Sequence, residues 1–288
     1  MISTIFQAII LGIVQGATEF IPISSSAHLI IVPWLFGWND PALTSLSFDI
    51  ALHIGTLVAV LVYFAGDFIR LIRAWLASVR ERCIGQDPDR RLAWFIVVGT
   101  IPGAIFGLLL ESKIEALFHQ PGVPIRPAAM VVMAVIIAGL GLVLLLADRL
   151  ASHRWDLRHM TWTQALSIGL AQALSIFPGV SRSGSTITAG LALGLKREDA
   201  ARFSFLLSAP IIAGVGAKGL LEIYSGLKSG AIAHTDALLF PVGVVTAAIA
   251  GYLCIRFLLR FLQSHPVNVF VYYRIALAVL VVIVALVR

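Results

Sequence analysis

Long apolar runs separated by short charged loops dominate the chain, and six of them are long enough to cross a bilayer. A spanning helix needs about 20 mostly apolar residues, so each of these runs predicts one transmembrane helix. The six predicted spans cover residues 48–66, 92–110, 128–148, 203–222, 238–260 and 269–287.

Two further segments, 1–36 and 162–196, show a different pattern of apolar and polar positions. Each has a short apolar run, a polar turn containing proline and clustered serines, and a second short apolar run. A helix of about 11 residues is roughly 16 Å long, which is half of a bilayer core. We therefore predict two re-entrant helical hairpins. Irregular backbone at membrane depth is tolerated where protein or water covers it, so each turn should line a wet cavity.

The two hairpins resemble each other in sequence. At an offset of 157 residues, Gln15 and Ser24 of the first match Gln172 and Ser181 of the second. These polar matches carry more weight than the apolar ones, which arise by chance in membrane chains. Among the matched glycines are Gly12 with Gly169 at that offset, and Gly99 with Gly243 at an offset of 144.

These matches predict a tandem repeat within one integral membrane domain. Repeat 1 covers residues 1–150 and repeat 2 covers residues 151–288, each with one hairpin and three spans. Because three is an odd number, the second copy must lie upside down relative to the first. The predicted fold class is therefore all-α integral membrane, with six transmembrane helices and two re-entrant hairpins in an inverted-topology repeat.

Composition and charge agree with a membrane protein. The chain is 59% hydrophobic with a mean hydropathy of +0.95, and only 12% of its residues are charged, about half the share of a soluble domain. The net charge of +6 does not indicate nucleic acid, because the basic residues lie mostly between apolar runs. Cys83 and Cys254 are far apart in sequence, and we expect no disulfide between them.

The distribution of basic residues predicts the orientation in the membrane. With the N-terminus outside, 14 of the 21 Lys and Arg residues fall on the inner side and four on the outer side. This bias follows the positive-inside rule. Hairpin 1 then enters from outside and hairpin 2 from inside, so their polar tips can meet near the midplane. We expect a multi-pass membrane protein with its N-terminus on the outer face.

The predicted meeting point contains residues suited to a phosphate site. Glu19 comes from one repeat and Arg182 from the other. An intramembrane charge indicates a function, because it is costly to bury. Arg binds phosphate through a planar fork, and serines at helix N-termini place free N–H groups near an anion. A divalent cation could bridge Glu19 and phosphate. The remaining candidates are Gln15 as a metal ligand, Ser24, Ser25, Ser26, Ser181, Ser183 and Thr186 toward phosphate, and His28 as proton donor, base or nucleophile.

Each assignment competes with a purely structural alternative. Membrane serines often only bond to backbone or pack, Glu19 and Arg182 could form a structural ion pair, and His28 could be an interfacial residue. We interpret Asp49 and His53, one turn apart at the start of a span, as interface residues, with lining of the cavity as the lesser alternative.

Two motifs make the sequence similar to a known family. Segment 15–28, QGATEFIPISSSAH, resembles the (E/Q)xxxE stretch and following Ser–His segment of the undecaprenyl-diphosphate phosphatase (bacitracin-resistance) family. Segment 178–186, PGVSRSGST, resembles its PGxSRSxxT motif, and the likeness covers essentially the whole chain. Ala27 replaces a common Gly and Ser26 a usual Thr, which bears on turn geometry but not on activity.

The resemblance implies an enzyme that hydrolyses undecaprenyl diphosphate to the monophosphate and phosphate. Such enzymes recycle the carrier lipid for cell-wall polymers, confer bacitracin resistance and use a divalent cation, Mg²⁺ or Ca²⁺. The resemblance also implies a bacterial inner-membrane protein whose site opens on the outer (periplasmic) face. The resemblance implies catalytic roles for Glu19, Ser25, His28 and Arg182, and metal binding by Glu19 with Gln15. The attacking group stays open between Ser25, His28 and water. Expected partners are the prenyl diphosphate and membrane lipid but no nucleic acid; a homodimer is compatible with the sequence.

Two rival functions share some of these features. Inverted repeats with half-helices directed at an anion also occur in transporters, so a flippase for a phosphorylated prenyl lipid is the alternative. A phosphatase of the phosphatidic-acid type should have a second His six residues after the Arg, where this chain has Thr188. We therefore rank that phosphatase below the other two.

Overall fold

The computed structural model describes residues 2–118, 127–229 and 238–288. Within these ranges the chain forms α-helices, two short 3₁₀ turns and one isolated bridge between Trp155 and Leu195. The helices are α1 (Ile2–Phe20), α2 (Ser25–Phe36), α3 (Leu46–Tyr63), α4 (Ala65–Glu81), α5 (Pro88–Phe118), α6 (Pro127–Leu150), α7 (Trp162–Ala173), α8 (Arg182–Ala192), α9 (Arg197–Ser229), α10 (Leu239–Ser264) and α11 (Asn268–Val287).

Each of the six predicted spans is present as a long apolar helix: α3, α5, α6, α9, α10 and α11. Seven helices of the described ranges are long and apolar enough to cross a membrane, and the seventh is α1. The chain is therefore an all-helical, multi-pass membrane protein. Free Cys83 is exposed and free Cys254 is buried, so the expectation that they form no disulfide is confirmed.

The first hairpin differs from its predicted form at one end. The sequence suggested that the first apolar helix stops near Val14, because Gln15 and Glu19 interrupt the run. Instead α1 continues through both residues to Phe20, and both side chains are buried inside the protein. Other protein groups can form hydrogen bonds with polar side chains that would have no partner in lipid. Gln15 and Glu19 therefore do not end the helix. That α1 and α2 form a re-entrant hairpin stays a prediction.

Helix α4 was not predicted from the sequence. Its charged side chains alternate with exposed apolar residues, among them Ile69, Ile72, Leu76 and Val79 at helical spacing. An amphipathic helix of this kind is typical of the membrane interface. The pattern is too short and too charged for a span, which is why a search for long apolar runs passes over it.

Close helix packing joins each hairpin to the other repeat. A Cβ added to Gly12 on α1 would lie 2.9 Å from the Gly243 carbonyl oxygen on α10. A Cβ added to Gly169 on α7 would lie 2.4 Å from the Gly99 carbonyl oxygen on α5. The sequence alignment pairs Gly12 with Gly169 and Gly99 with Gly243, so these are equivalent contacts. They support the predicted repeat, which stays a prediction.

Ion pairs also connect the two halves. Asp67 on α4 accepts from Arg202 on α9 at 2.7 Å, and the buried Asp148 on α6 accepts from Arg197 at 2.6 Å. Both arginines lie in the first turns of α9, which leads away from hairpin 2. Together with the glycine contacts, these pairs hold α1 and α8 where their ends can meet.

Candidate active site

The tips of the two hairpins are in direct contact. Glu19 near the end of α1 has its Oε1 3.8 Å from Nη1 of Arg182, the first residue of α8. Ser183 Oγ donates a 3.1 Å hydrogen bond to the backbone carbonyl of Ile21. The expected meeting of a carboxylate from one hairpin with an arginine from the other is therefore present in the structure.

Glu19 lies in a dense set of polar contacts. One helical turn separates it from Gln15, so both side chains share a face of α1, and Gln15 Nε2 donates to Glu19 Oε2 at 3.0 Å. Ser25 Oγ donates to the same oxygen at 2.6 Å. His53 Nε2 lies 3.6 Å from it. His53 was interpreted as an interface residue, and the structure instead places it beside Glu19 in the site.

Two donor atoms of Arg182 have no acceptor in the part of the chain that the structure describes. Its Nε and Nη1 atoms are buried and have no hydrogen-bond partner among the described residues. The 3.8 Å approach to Glu19 is too long for a hydrogen bond. This geometry differs from the closed ion pair expected of a purely structural role. An oxygen-rich anion would satisfy the guanidinium in two places.

The turn before α2 is strained, and its Ser24 side chain does not cap the helix. Ser24 is a non-glycine residue with φ +78°, a conformation that costs about 1–3 kcal/mol and persists at functional sites. Its side chain makes no cap hydrogen bond to α2 and instead lies 3.3 Å from Ser26 Oγ. The Ser24 side chain therefore does not cap the first-turn amides of α2, and such a helix terminus is suited to binding an anion.

His28 has both ring nitrogens engaged. Nδ1 lies 2.7 Å from the Ser24 carbonyl, which can only accept, so Nδ1 carries a proton. In the neutral ring Nε2 then accepts from the Tyr273 hydroxyl at 2.8 Å, and the two rings stack at 5.6 Å. His28 therefore fixes the Ser24 turn. To act as a nucleophile, it would first have to release Tyr273, a residue that the sequence analysis did not single out.

A second arginine lies beneath the tips. Arg274 is 1% exposed, and it donates from Nε to the Ile137 carbonyl at 2.8 Å and from Nη1 to the Pro22 carbonyl at 3.0 Å. Its Nη2 has no partner among the described residues. In the sequence, Arg274 is one more basic residue within an apolar run. In the structure its buried charge adds positive potential next to the first tip.

The serines and threonine of the second tip bond mainly to protein. Ser181 Oγ accepts from the Gly184 amide at 2.9 Å and lies 3.1 Å from Ser183 Oγ. Thr186 Oγ1 donates to the Arg182 carbonyl and lies 2.6 Å from Ser204 Oγ. These bonds hold the first turn of α8. The predicted contacts of Ser181, Ser183 and Thr186 with substrate stay predictions.

A divalent cation would find oxygen donors at one end of the site. Gln15 Oε1 is buried and has no hydrogen-bond partner among the described residues, and it lies on the same helix face as the Glu19 carboxylate. Mg²⁺ and Ca²⁺ prefer such oxygen donors, and Mg²⁺ commonly takes one or two carboxylates together with substrate phosphates. In the described part of the chain, no three Asp, Glu, His or Cys side chains cluster as a metal site. Gln15 and Glu19 therefore fit a cation that also binds the substrate.

Comparison with known proteins identifies the family. Residues 8–280 match the family model described as bacitracin resistance protein BacA. The chain belongs to the BacA family. The matched range contains hairpin 2, most of hairpin 1, five of the six predicted spans and most of the sixth, so membership concerns the whole architecture.

Curated relatives of this BacA chain cover it almost completely. It is 47% identical over 280 residues to the undecaprenyl-diphosphatase of Thermomicrobium roseum, which covers 97% of this chain and 98% of the relative. It is 46% identical to that of Moorella thermoacetica, with 97% of both chains covered. It is 45% identical to that of Caldicellulosiruptor bescii, with 99% of both covered.

Proposed function

We propose that this chain is an undecaprenyl-diphosphatase and that the Glu19–Arg182 junction is its active site. Membership of the BacA family and the names of its relatives support the reaction, the hydrolysis of undecaprenyl diphosphate to the monophosphate and phosphate. The same membership links it to bacitracin resistance and to the recycling of a cell-wall carrier lipid. The observation that carries the site is the 3.8 Å approach of Arg182 to a buried carboxylate of the opposite hairpin, with Nε and Nη1 of the guanidinium lacking a hydrogen-bond partner among the described residues.

The donors around the junction suit the diphosphate group. Arg182 Nε and Nη1 and the first-turn amides of α2 would bind phosphoryl oxygens, while the buried Arg274 adds to the positive potential. Such donors stabilise charge that develops on the phosphoryl oxygens in the transition state. The prenyl chain would leave the site sideways between helices into lipid.

Ser25 is the favoured nucleophile. Its hydroxyl already donates to Glu19 Oε2 at 2.6 Å, so Glu19 can take the proton as Ser25 Oγ attacks the terminal phosphorus. The bond between that phosphorus and the bridging oxygen breaks, and undecaprenyl phosphate leaves with that oxygen. Water then hydrolyses the phosphoserine and releases phosphate, and Glu19 returns the proton to Ser25. His28 is the weaker nucleophile because both of its nitrogens are engaged.

Glu19 and Gln15 are the proposed cation ligands. A bound Mg²⁺ or Ca²⁺ supplies neutralisation of the diphosphate charge beside the Glu19 carboxylate. We further propose that the N-terminus and the opening of the site lie on the outer face of the membrane. The positive-inside bias of the basic residues supports this orientation.

Acid quenching during turnover tests the nucleophile. With prenyl diphosphate labelled in its terminal phosphate, the account expects labelled phosphoserine at Ser25, found by mass spectrometry. Ser25→Ala should abolish this adduct and reduce phosphate release. Ser185→Ala is the matched control, because the Ser185 hydroxyl donates to the Arg182 carbonyl of its own helix. Undiminished release by Ser25→Ala would exclude Ser25 and favour direct attack by water.

A further inference from the structure

Helix α10 has one face that the other described segments of the chain leave exposed. Its buried face carries Gly243, Ala247 and Gly251, which pack closely against α1 and α3. On the opposite side, an apolar residue recurs at every fourth position, and these four side chains are between 54% and 58% exposed. We call this set the α10 stripe: Val245, Ile249, Leu253 and Phe257.

The α10 stripe leads into a groove of about 470 Å³. Arg256 and Arg260, one turn apart, lie in this groove with Phe257, Phe261 and His265. Both arginines are exposed, and neither forms an ion pair with a carboxylate of the described residues. This contrasts with Arg197 and Arg202, which pair with aspartates near the start of α9.

The length of the stripe corresponds to one leaflet of a bilayer. Val245 and Phe257 are 12 residues apart, or roughly 18 Å along a helix, while half of the hydrocarbon core is about 15 Å. Helix α10 begins at Leu239, so Arg256 lies roughly 26 Å along its axis, close to the far edge of the core. The arginines thus lie at headgroup depth, and the stripe runs from them toward the bilayer centre.

We propose that this groove is a binding site for an anionic phospholipid. The phosphodiester would bind between Arg256 and Arg260, and one acyl chain would lie along the α10 stripe. A basic site at the membrane interface is suited to an anionic headgroup, and arginine can offer a phosphate two parallel hydrogen bonds. The Phe257 ring would pack beside the first carbons of the chain. The site shares no residue with the Glu19–Arg182 junction and does not depend on the proposed reaction.

Lipid binding to the purified protein tests the site. Native mass spectrometry in a non-ionic detergent would measure the apparent affinity for phosphatidylglycerol and for phosphatidylcholine with the same acyl chains. A basic residue near an anionic headgroup contributes about five-fold in affinity, so the Arg256→Gln/Arg260→Gln double variant should bind phosphatidylglycerol roughly 30-fold more weakly. Its affinity for phosphatidylcholine should fall by a smaller factor, because the choline group offsets the charge of the phosphodiester.

Arg73→Gln/Arg80→Gln is the matched control, because it removes two exposed arginines of α4 that form no ion pair with the described carboxylates. It should keep wild-type affinity for phosphatidylglycerol. Inorganic phosphate alone should not displace the lipid, because it cannot use the α10 stripe. Equal losses in the two double variants would refute a specific site, as would unchanged binding by the first. Displacement by inorganic phosphate at equal concentration would refute the role of the stripe.

Discussion

The contact between Gly169 and Gly99 offers a quantitative test of how hairpin 2 is held. A Cβ placed on Gly169 would lie 2.4 Å from the Gly99 carbonyl oxygen and 2.7 Å from its Cα. Both atoms belong to the backbone of α5, so neither can rotate away as a side chain could. Gly169→Ala must therefore push α7 and α5 apart. Overpacking of this kind costs about 1–3 kcal/mol.

A matched substitution separates this clash from helix propensity. Replacing glycine by alanine inside a helix gains about 1 kcal/mol, wherever the glycine lies. Gly139 on α6 is exposed, and an added Cβ there would meet nothing within 4 Å. Gly139→Ala therefore shows the gain without the clash. The difference between the two variants isolates the clash and should be about 1–3 kcal/mol.

Thermal unfolding in detergent measures this difference. For a chain of this size, 1 kcal/mol shifts Tm by about 2–4 °C, so Gly169→Ala should melt about 2–12 °C below Gly139→Ala. Phosphate release should fall with it, because α7 leads into the turn that presents Arg182. If Gly169→Ala melts at or above Gly139→Ala, the close approach of α7 and α5 is wrong, and so is our reasoning about the equivalent Gly12 contact.

Two further substitutions probe the site itself. Tyr273→Phe should lower kcat by up to about tenfold with little change in KM, because His28 loses one neutral hydrogen bond. An unchanged kcat, with a pH–rate profile identical to that of wild type, would show that Tyr273 has no role in the reaction. EDTA should stop phosphate release, Mg²⁺ or Ca²⁺ should restore it, and Gln15→Ala should raise the cation concentration needed for half-maximal activity. Release that persists in EDTA would exclude the cation.

Apolar run length predicted the spanning helices, because the bilayer imposes a minimum length on any helix that crosses it. The same criterion failed for α1, whose Gln15 and Glu19 are solvated by other protein groups and not by lipid. It also passed over α4, whose apolar residues are spaced for an interface. Both failures have one cause. Hydropathy measures how well a helix suits lipid, and it takes no account of contacts with other protein groups or of a position at the membrane interface.

Some residues of the site could be predicted from the sequence, and others could not. Glu19 and Arg182 could be selected because a charge in an apolar setting is costly and therefore informative. Tyr273 and Arg274 were missed, and His53 was assigned to the interface, because nothing near these residues in sequence indicates their partners. Tyr273 meets His28 across 245 positions of chain, and Arg274 meets Pro22 across 252. Such pairs depend on how α11 packs against α6 and the first tip, which sequence patterns do not determine.

The central claim is that residues from two hairpins form one phosphatase site. Phosphate release from undecaprenyl diphosphate by the purified protein tests it most directly, with Mg²⁺ present and with Glu19→Gln and Arg182→Ala as variants. We expect the wild type to release phosphate. Each variant, while still folded, should lose at least about 100-fold in activity, because a transition-state donor or an essential carboxylate has been removed. Arg73→Gln should release phosphate like wild type. Full activity in folded Arg182→Ala would contradict the shared site, and no release by folded wild type would contradict the enzyme.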